Sequence, residues 1–269
     1  MNTSTGERSR PTTIHHREQV MGTIVTFDVY REAGISPTEF LAHLARAVNA
    51  LHRADKIFST WKAESPVSRL RRGEITLGEA PAEVLEVLTL CRTARDLSGG
   101  WFDPWAIEGG VDPTGYVKGW AAQLALEELR DADLDGAMVN AAGDIASFGG
   151  PVAGQPFRVG IVNPDATTEL ACAVELRGAI ATSGAYERGE HLVNPHTGEL
   201  DTSVASSSVT GPDLGVADAL ATALAVGGDE VLSLIEDIAD YEAFTISHDG
   251  QWKWTARFPF ARTTATAAS

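Results

Sequence analysis

Positive charge is scarce in this chain. Only 21 lysines and arginines face 37 aspartates and glutamates over 269 residues, a formal charge of −16. Such a surface repels nucleic acid and anionic membrane unless a basic patch overrides it, and the sequence holds no such patch. Cysteine is scarcer still. Cys91 and Cys172 lie far apart in apolar surroundings, with no C-x-x-C and no histidine at metal-ligand spacing. That excludes a disulfide scaffold, and both thiols are expected to be reduced core residues. No apolar run approaches the ~20 residues of a membrane-spanning helix. The polar start, residues 1–19, contains Pro11 and His15-His16 and shows neither the apolar stretch of a signal peptide nor a lipid-attachment cysteine, so a cytoplasmic location without stable membrane insertion is expected. G-x-x-x-x-G-K-[ST], G-x-G-x-x-G and G-x-S-x-G are all missing, which leaves P-loop, Rossmann and hydrolase-triad readings without motif support.

What is present suffices for an ordinary globular domain, since 43% of the residues are hydrophobic. Residues 20–262 are expected to form a single domain, with residues 1–19 and 263–269 flexible. Thr23-Ile-Val-Thr-Phe-Asp-Val-Tyr30 alternates in the manner of a strand. Phe40, Leu41, Leu44, Val48 and Leu51 recur at helical spacing after the start signal Ser36-Pro37. A second helix runs from about Pro81, with Val84, Leu85, Leu88, Cys91 and Ala94 on one face, to the stop at Gly99-Gly100. A third begins near Pro113 and turns Val117, Ala121 and Leu124 inward. Strands follow at Ala137 to Asn140, Phe157 to Ile161 and Ala171 to Leu176. Helical periodicity returns from Val216 to Val226 and through Val231, Leu232, Ile235 and Ile238, and a last hairpin turns at Asp249-Gly250. Helices and strands mix without strict alternation, so the fold class is read as α+β.

A chain this acidic that handles a phosphorylated substrate must supply positive charge locally, and a divalent cation with one lysine does so. Asp218 and Thr222 lie one turn apart on a predicted helix and present oxygen on one face, as Mg²⁺ prefers. Lys118 follows Asp112-Pro113-Thr114-Gly115 in the first turns of another helix, where glycine allows close approach and helix-start amides favour anions. Asn140-Ala-Ala-Gly143-Asp144 should turn sharply at Gly143. Thr182-Ser-Gly-Ala-Tyr186 and His191-Leu-Val-Asn194-Pro-His-Thr-Gly198 gather hydroxyls and histidines, and His191 is a candidate general base.

Taken together with Met21-Gly22-Thr23, Phe58-Ser59-x-Trp61, Ser65-x-x-Ser68-Arg69-Leu70 and Gly100-Trp-Phe-Asp103, these segments stand in an order that resembles the ApbE family, the FAD:protein FMN transferases. The likeness runs from about Met21 to Ser247. It implies an ApbE-like (T-fold-like) α+β fold of mainly antiparallel sheets with packed helices and a flavin cleft. It further implies Mg²⁺ held by Asp218, Thr222 and the Gly115 carbonyl, and FAD contacting Met21, Trp61, Trp101, Phe102, Asp103, Asp112, Lys118, His191 and Leu192. The implied reaction moves FMN from FAD to a serine or threonine hydroxyl of an acceptor protein bearing a Ser/Thr-Gly-Ala-Thr-like motif and releases AMP. Lys118 would hold the phosphates, His191 or a nearby carboxylate would take the proton, and Trp61 and Tyr186 would cover flat rings. Two other outcomes share the same site: hydrolysis of FAD to FMN and AMP, and FAD binding without catalysis. The chain departs from the family pattern in having Trp61 for a tyrosine, Ala142 for the first of two glycines and Asn194 for an aspartate.

Overall fold

A computed structural model of the chain describes residues 12–31, 36–107, 109–152, 154–184, 192–200 and 202–262. It begins with a hairpin. Strand β1 (Thr12–Val20) pairs along its whole length with β2 (Thr23–Arg31), from Thr12 opposite Arg31 to Val20 opposite Thr23. The expectation of a flexible start is therefore corrected from Thr12 onward. The strand escaped notice because it is a sheet edge: His15, Arg17 and Gln19 face solvent, while Ile14, His16 and Glu18 are half-buried and Val20 is buried. Met21 and Gly22, at φ of 54° and 72°, form the two-residue turn whose positive dihedrals suit the twist of paired strands.

The remaining strands extend this hairpin into one eight-stranded antiparallel sheet. Its order is β1, β2, β3 (Gly136–Ala141), β4 (Asp144–Gly149), β7 (Ala179–Ser183), β8 (Ser206–Gly211), β9 (Glu242–Ile246) and β10 (Trp252–Trp254). A separate two-stranded ribbon is made of β5 (Phe157–Asn163) and β6 (Ala166–Leu176). Six helices complete the described chain: α1 (Pro37–Phe58), α2 (Pro66–Arg71), α3 (Ala82–Leu97), α4 (Thr114–Arg130), α5 (Leu214–Gly227) and α6 (Asp229–Glu236). None of them is long and apolar enough to cross a membrane. The class is α+β with mainly antiparallel sheet, as the sequence indicated.

Each central strand serves two cores, because successive side chains point to opposite faces. Ala146, Ala179, Ala181 and Ala243 join Phe27, Leu51, Tyr116, Leu126, Leu220 and Leu224 in the large core under the helices. Their neighbours Ile145, Ile180 and Phe244 join Phe157, Val159, Ile161, Val174 and Leu176 in a smaller core beneath the ribbon. Helix α1 starts as read, with a reciprocal capping box in which Ser36 and Glu39 each accept the other's amide at 3.2 Å. Three apolar residues assigned inward are instead outside: Leu41 is 59% exposed, Leu85 51% and Leu124 37%. Each sits at the margin of its helix's apolar stripe, where a shift of one position along the helix decides the side. Cys91 is buried, whereas Cys172 is only half-buried on the ribbon.

Strand β8, Ser-Ser-Ser-Val-Thr-Gly, is buried at every position, although its composition reads as a loop. Two of its serine hydroxyls find partners inside: Ser207 donates to the carbonyls of Ala221 (2.8 Å) and Ser183 (3.0 Å), and Ser208 pairs with Thr182 at 2.8 Å, whereas Ser206 Oγ is buried without a partner among the described residues. Short side chains let α5 lie directly on the sheet, with Ala217, Ala219, Ala221, Ala223 and Ala225 fully buried. Helix α4 crosses α5 just as closely. A methyl on Gly119 would come within 2.4 Å of the Leu214 carbonyl oxygen, and one on Gly215 within 2.8 Å of the Tyr116 ring.

Two predictions follow from this burial. Alanine normally stabilises a helix relative to glycine, but Gly119→Ala should lower stability by about 1–3 kcal/mol because its obstacle is backbone. Gly160→Ala, whose methyl would meet only the side chain of exposed Leu170, should be close to neutral in the same urea titration. Burial pushes the Cys91 thiol up to about 12 from 9.0, and raises the Tyr116 and Tyr241 phenols above 10.0. The unfolded chain sheds these protons at lower pH than the folded one. Stability should therefore be intact below about pH 9 and decline as pH rises beyond it, seen as a lower urea midpoint near pH 10 than at neutrality.

Candidate active site

One cavity of about 1410 Å³ opens where the amino-terminal parts of α4 and α5 meet the β1–β2 and β3–β4 turns. Of the residues singled out from sequence, Met21, Trp61, Trp101, Phe102, Asp103, Asp112, Gly115, Lys118, Leu192, Asp218 and Thr222 all line it. His191 and Tyr186 lie outside the described residues.

The metal-ligand candidates come together across the α4–α5 crossing. The Gly119 amide donates to Asp218 Oδ2 at 3.1 Å, and Asp218 is itself only 3% exposed. In a regular helix that same amide is aimed at the carbonyl of Gly115. Sharing it with Asp218 ties the carboxylate to the helix turn that carries the Gly115 oxygen. At Gly115 a methyl would stand 3.5 Å from Thr222 Oγ1 and 3.3 Å from the Phe102 ring, so glycine brings its backbone against the threonine. Ser183 Oγ lies 3.5 Å from Thr222 Oγ1 on the other side. No cluster of three or more His, Cys, Asp or Glu capable of holding a metal occurs among the described residues. The donors here are one carboxylate, hydroxyls and a carbonyl. This hard-oxygen set fits Mg²⁺, which takes few protein ligands and leaves the rest to phosphate and water.

Lys118 points its ammonium at Asp144 Oδ2. Asp144 is completely buried, and its Oδ1 accepts the Thr182 amide at 3.1 Å. Sequence reasoning placed Asp144 in a turn without seeing this pairing. Its only local signal was a carboxylate directly after the Ala142-Gly143 turn. That turn is strained: Ala142 sits at φ 54° and Gly143 at 98°, with Asn140 Oδ1 accepting the Gly143 amide at 2.8 Å. The ion pair thus anchors Lys118 to the sheet beside the cavity, with 16% of its side chain still exposed.

Other cavity carboxylates are also held. Asp112 accepts the Thr114 amide (3.0 Å) and faces Arg71 Nη1 at 3.4 Å, a contact that no local sequence pattern signals. Asp103 accepts from Arg95 Nε (2.7 Å) and the Trp105 amide (2.9 Å). Asp55 pairs with Lys62. Trp61 stands 95% exposed at the mouth, while Trp101 is half-buried and edge-on to His196 at 4.4 Å. Asn194 Oδ1 accepts the His196 amide at 2.9 Å and so closes the turn that it begins. Of the buried protic groups nearby, the Cys91 thiol and Tyr116 phenol stay protonated at neutrality through desolvation, so neither serves as a base there.

Comparison with known proteins identifies the family. The model of the ApbE family matches residues 21–108 and 106–245. An FAD:protein FMN transferase of Rhodobacter capsulatus is 35% identical over 130 residues, covering 45% of this chain and 24% of that protein. One from Haemophilus influenzae is 30% identical over 139 residues, covering 47% of this chain and 40% of that protein. The matched stretches thus span well under half the length of both curated relatives. Among solved structures, the apo form of Pseudomonas stutzeri flavinyl transferase ApbE superposes with a TM-score of 0.78 at 22% identity, over 93% of this chain and 97% of that one. At that identity the superposition establishes the fold.

Removing one member of the Lys118–Asp144 pair leaves a buried charge without its counterion, so Lys118→Met should lower stability by about 3–5 kcal/mol. Lys118→Met combined with Asp144→Asn should recover much of that loss, which a double-mutant cycle in urea measures directly.

Proposed function

We propose that this chain, which belongs to the ApbE family, transfers FMN from FAD to a serine or threonine hydroxyl of an acceptor protein and releases AMP. The observation that carries this reading is the convergence of Asp218, Thr222, Gly115 and Lys118 from distant parts of the sequence on one cavity. At about 1410 Å³ it exceeds the ~300–1,000 Å³ of ordinary small-ligand pockets, as a dinucleotide plus an incoming peptide requires.

In the reaction, the acceptor oxygen forms a bond to the phosphorus of the FMN half. The bond from that phosphorus to the bridging oxygen breaks, and AMP leaves with that oxygen. A magnesium ion held by Asp218, Thr222 and the Gly115 carbonyl would supply Lewis-acid charge toward the diphosphate oxygens. The rest falls to the protein. Lys118, fixed by Asp144, presents an ammonium of settled position, so charge building on the phosphate meets a preorganised partner. Asp103 and Asp112 are drawn back by Arg95 and Arg71, which limits their repulsion of an incoming diphosphate. The hydroxyl proton is assigned to His191 by its position in the family pattern. Trp61 keeps the flat face of the tyrosine usual at its position and, exposed at the mouth, is free to cover a bound ring.

Incubation with FAD, Mg²⁺ and an acceptor peptide should give AMP and a covalently yellow peptide in equal amounts, whereas free FMN without label would replace transfer by hydrolysis. Asp218→Ala and Thr222→Val should each abolish the metal-dependent activity with the circular dichroism spectrum retained. His191→Ala should reduce transfer far more than FAD affinity. Unchanged turnover in either metal-site variant contradicts the assignment.

A further inference from the structure

The side chain of Trp61 is 95% exposed at the cavity mouth, yet the backbone that carries it is closely tied. Helix α1 ends at Ser59, which turns to an extended conformation at φ −63° and ψ 117°, and α2 begins at Pro66. The turn between them is closed from inside. Ser65 Oγ donates to the Ser59 carbonyl at 2.6 Å, and Ser68 Oγ points to the same carbonyl at 3.2 Å and to that of Thr60 at 3.4 Å. The Ser65 amide donates to the Lys62 carbonyl at 3.0 Å. Lys62, directly after the tryptophan, pairs with Asp55 of α1.

These hydroxyls stand on a fixed support. Ser65 Oγ also accepts the Ser68 amide at 3.1 Å and so caps α2, while Val67 beside it is completely buried. At the other end of α2, Arg71 donates from Nε to the Gly109 carbonyl at 3.3 Å and faces Asp112 with Nη1. The short helix therefore touches both the turn bearing Trp61 and the segment bearing Asp112, two residues that line one cavity. Capping asks only that Ser65 Oγ accept an amide, and asks nothing of Ser68 Oγ. Here both buried hydroxyls also donate, and they donate to the two carbonyls immediately before Trp61.

We propose that Ser65 and Ser68 are positioning residues: through the Ser59 and Thr60 carbonyls they hold the backbone of Trp61 so that its ring is presented to cover a flat ring of the bound dinucleotide. The proposal rests on the reading that the cavity takes FAD, and it specifies how the chain prepares for that ligand. A ring carried on a loose turn would have to be ordered when FAD binds, at a cost in conformational entropy that a turn already fixed avoids. The serines touch no ligand on this account. Their effect on FAD passes wholly through Trp61.

The test is a double-mutant cycle on the full chain, with the FAD dissociation constant read by calorimetry without acceptor and the urea midpoint of each variant read beside it. Trp61→Ala should raise the dissociation constant about tenfold. Ser68→Ala should raise it about threefold while Trp61 is present and by nothing further once residue 61 is alanine. Ser65→Ala should behave as Ser68→Ala does, and Ser65→Thr, which keeps both hydroxyl and cap, should restore the original affinity; this pair decides the matter if Ser68→Ala does not fold. A general loosening of α2 would weaken binding by the same factor in both backgrounds, and that result overturns the proposal. So does an unchanged dissociation constant in folded Trp61→Ala. Failure of the unaltered chain to bind FAD would instead remove the FAD reading itself.

Discussion

A single hydrogen bond, from the Gly119 amide to the Asp218 carboxylate, joins residues 99 positions apart and sets the geometry on which the site depends. It forms only because two helices approach without side chains between them. Gly119 admits the Leu214 carbonyl, Gly215 admits the Tyr116 ring, and the alanines of α5 allow that helix to lie flat on the serines of β8. In this close crossing, the carboxylate of one helix reaches the main chain of the other within a turn of the Gly115 carbonyl. Packing and the placement of these oxygens are the same fact here, since any side chain that parts the helices also parts the oxygens.

The second constraint is electrostatic. For a chain of formal charge −16 to accept the diphosphate of the proposed reaction, its own carboxylates must be kept from repelling it. Around the cavity this is done pairwise: Arg71 holds Asp112, Arg95 holds Asp103 and Lys62 holds Asp55. Lys118 and buried Asp144 add a fixed cation on a low-dielectric support, where a misplaced charge costs far more than at the surface. Local order, rather than an excess of positive charge, makes the cavity suited to an anion.

Backbone strain gathers at the same place. Met21 and Ala142, both non-glycine residues at φ 54°, begin the two turns that border the cavity. A left-handed residue with a side chain costs about 1–2 kcal/mol, and it persists where the surrounding hairpin fixes it. In the second turn this places Asp144 directly beyond Gly143, aimed inward at Lys118. The turn thus forms with Ala142 in it, and Asn194 closes a turn of its own by accepting the His196 amide.

The order of motifs, the hydrophobic periodicity of the long helices and the oxygen-bearing residue types were all written along the chain, because they depend on neighbours within a few residues. So the α+β class, the helix starts at Ser36 and near Pro113, and the gathering of Gly115, Lys118, Asp218 and Thr222 on one cavity were legible. Strand β1 was not, since an edge strand carries polar residues on its wet face, nor was β8, whose Ser207 and Ser208 are tolerable in a core because a neighbouring strand and α5 supply their partners. The pairings of Lys118 with Asp144 and of Arg71 with Asp112, and the approach of the ribbon tip to the cavity, exist only after folding. They are relations between elements remote in sequence, and no local pattern encodes the distance between two residues that meet through a shared core.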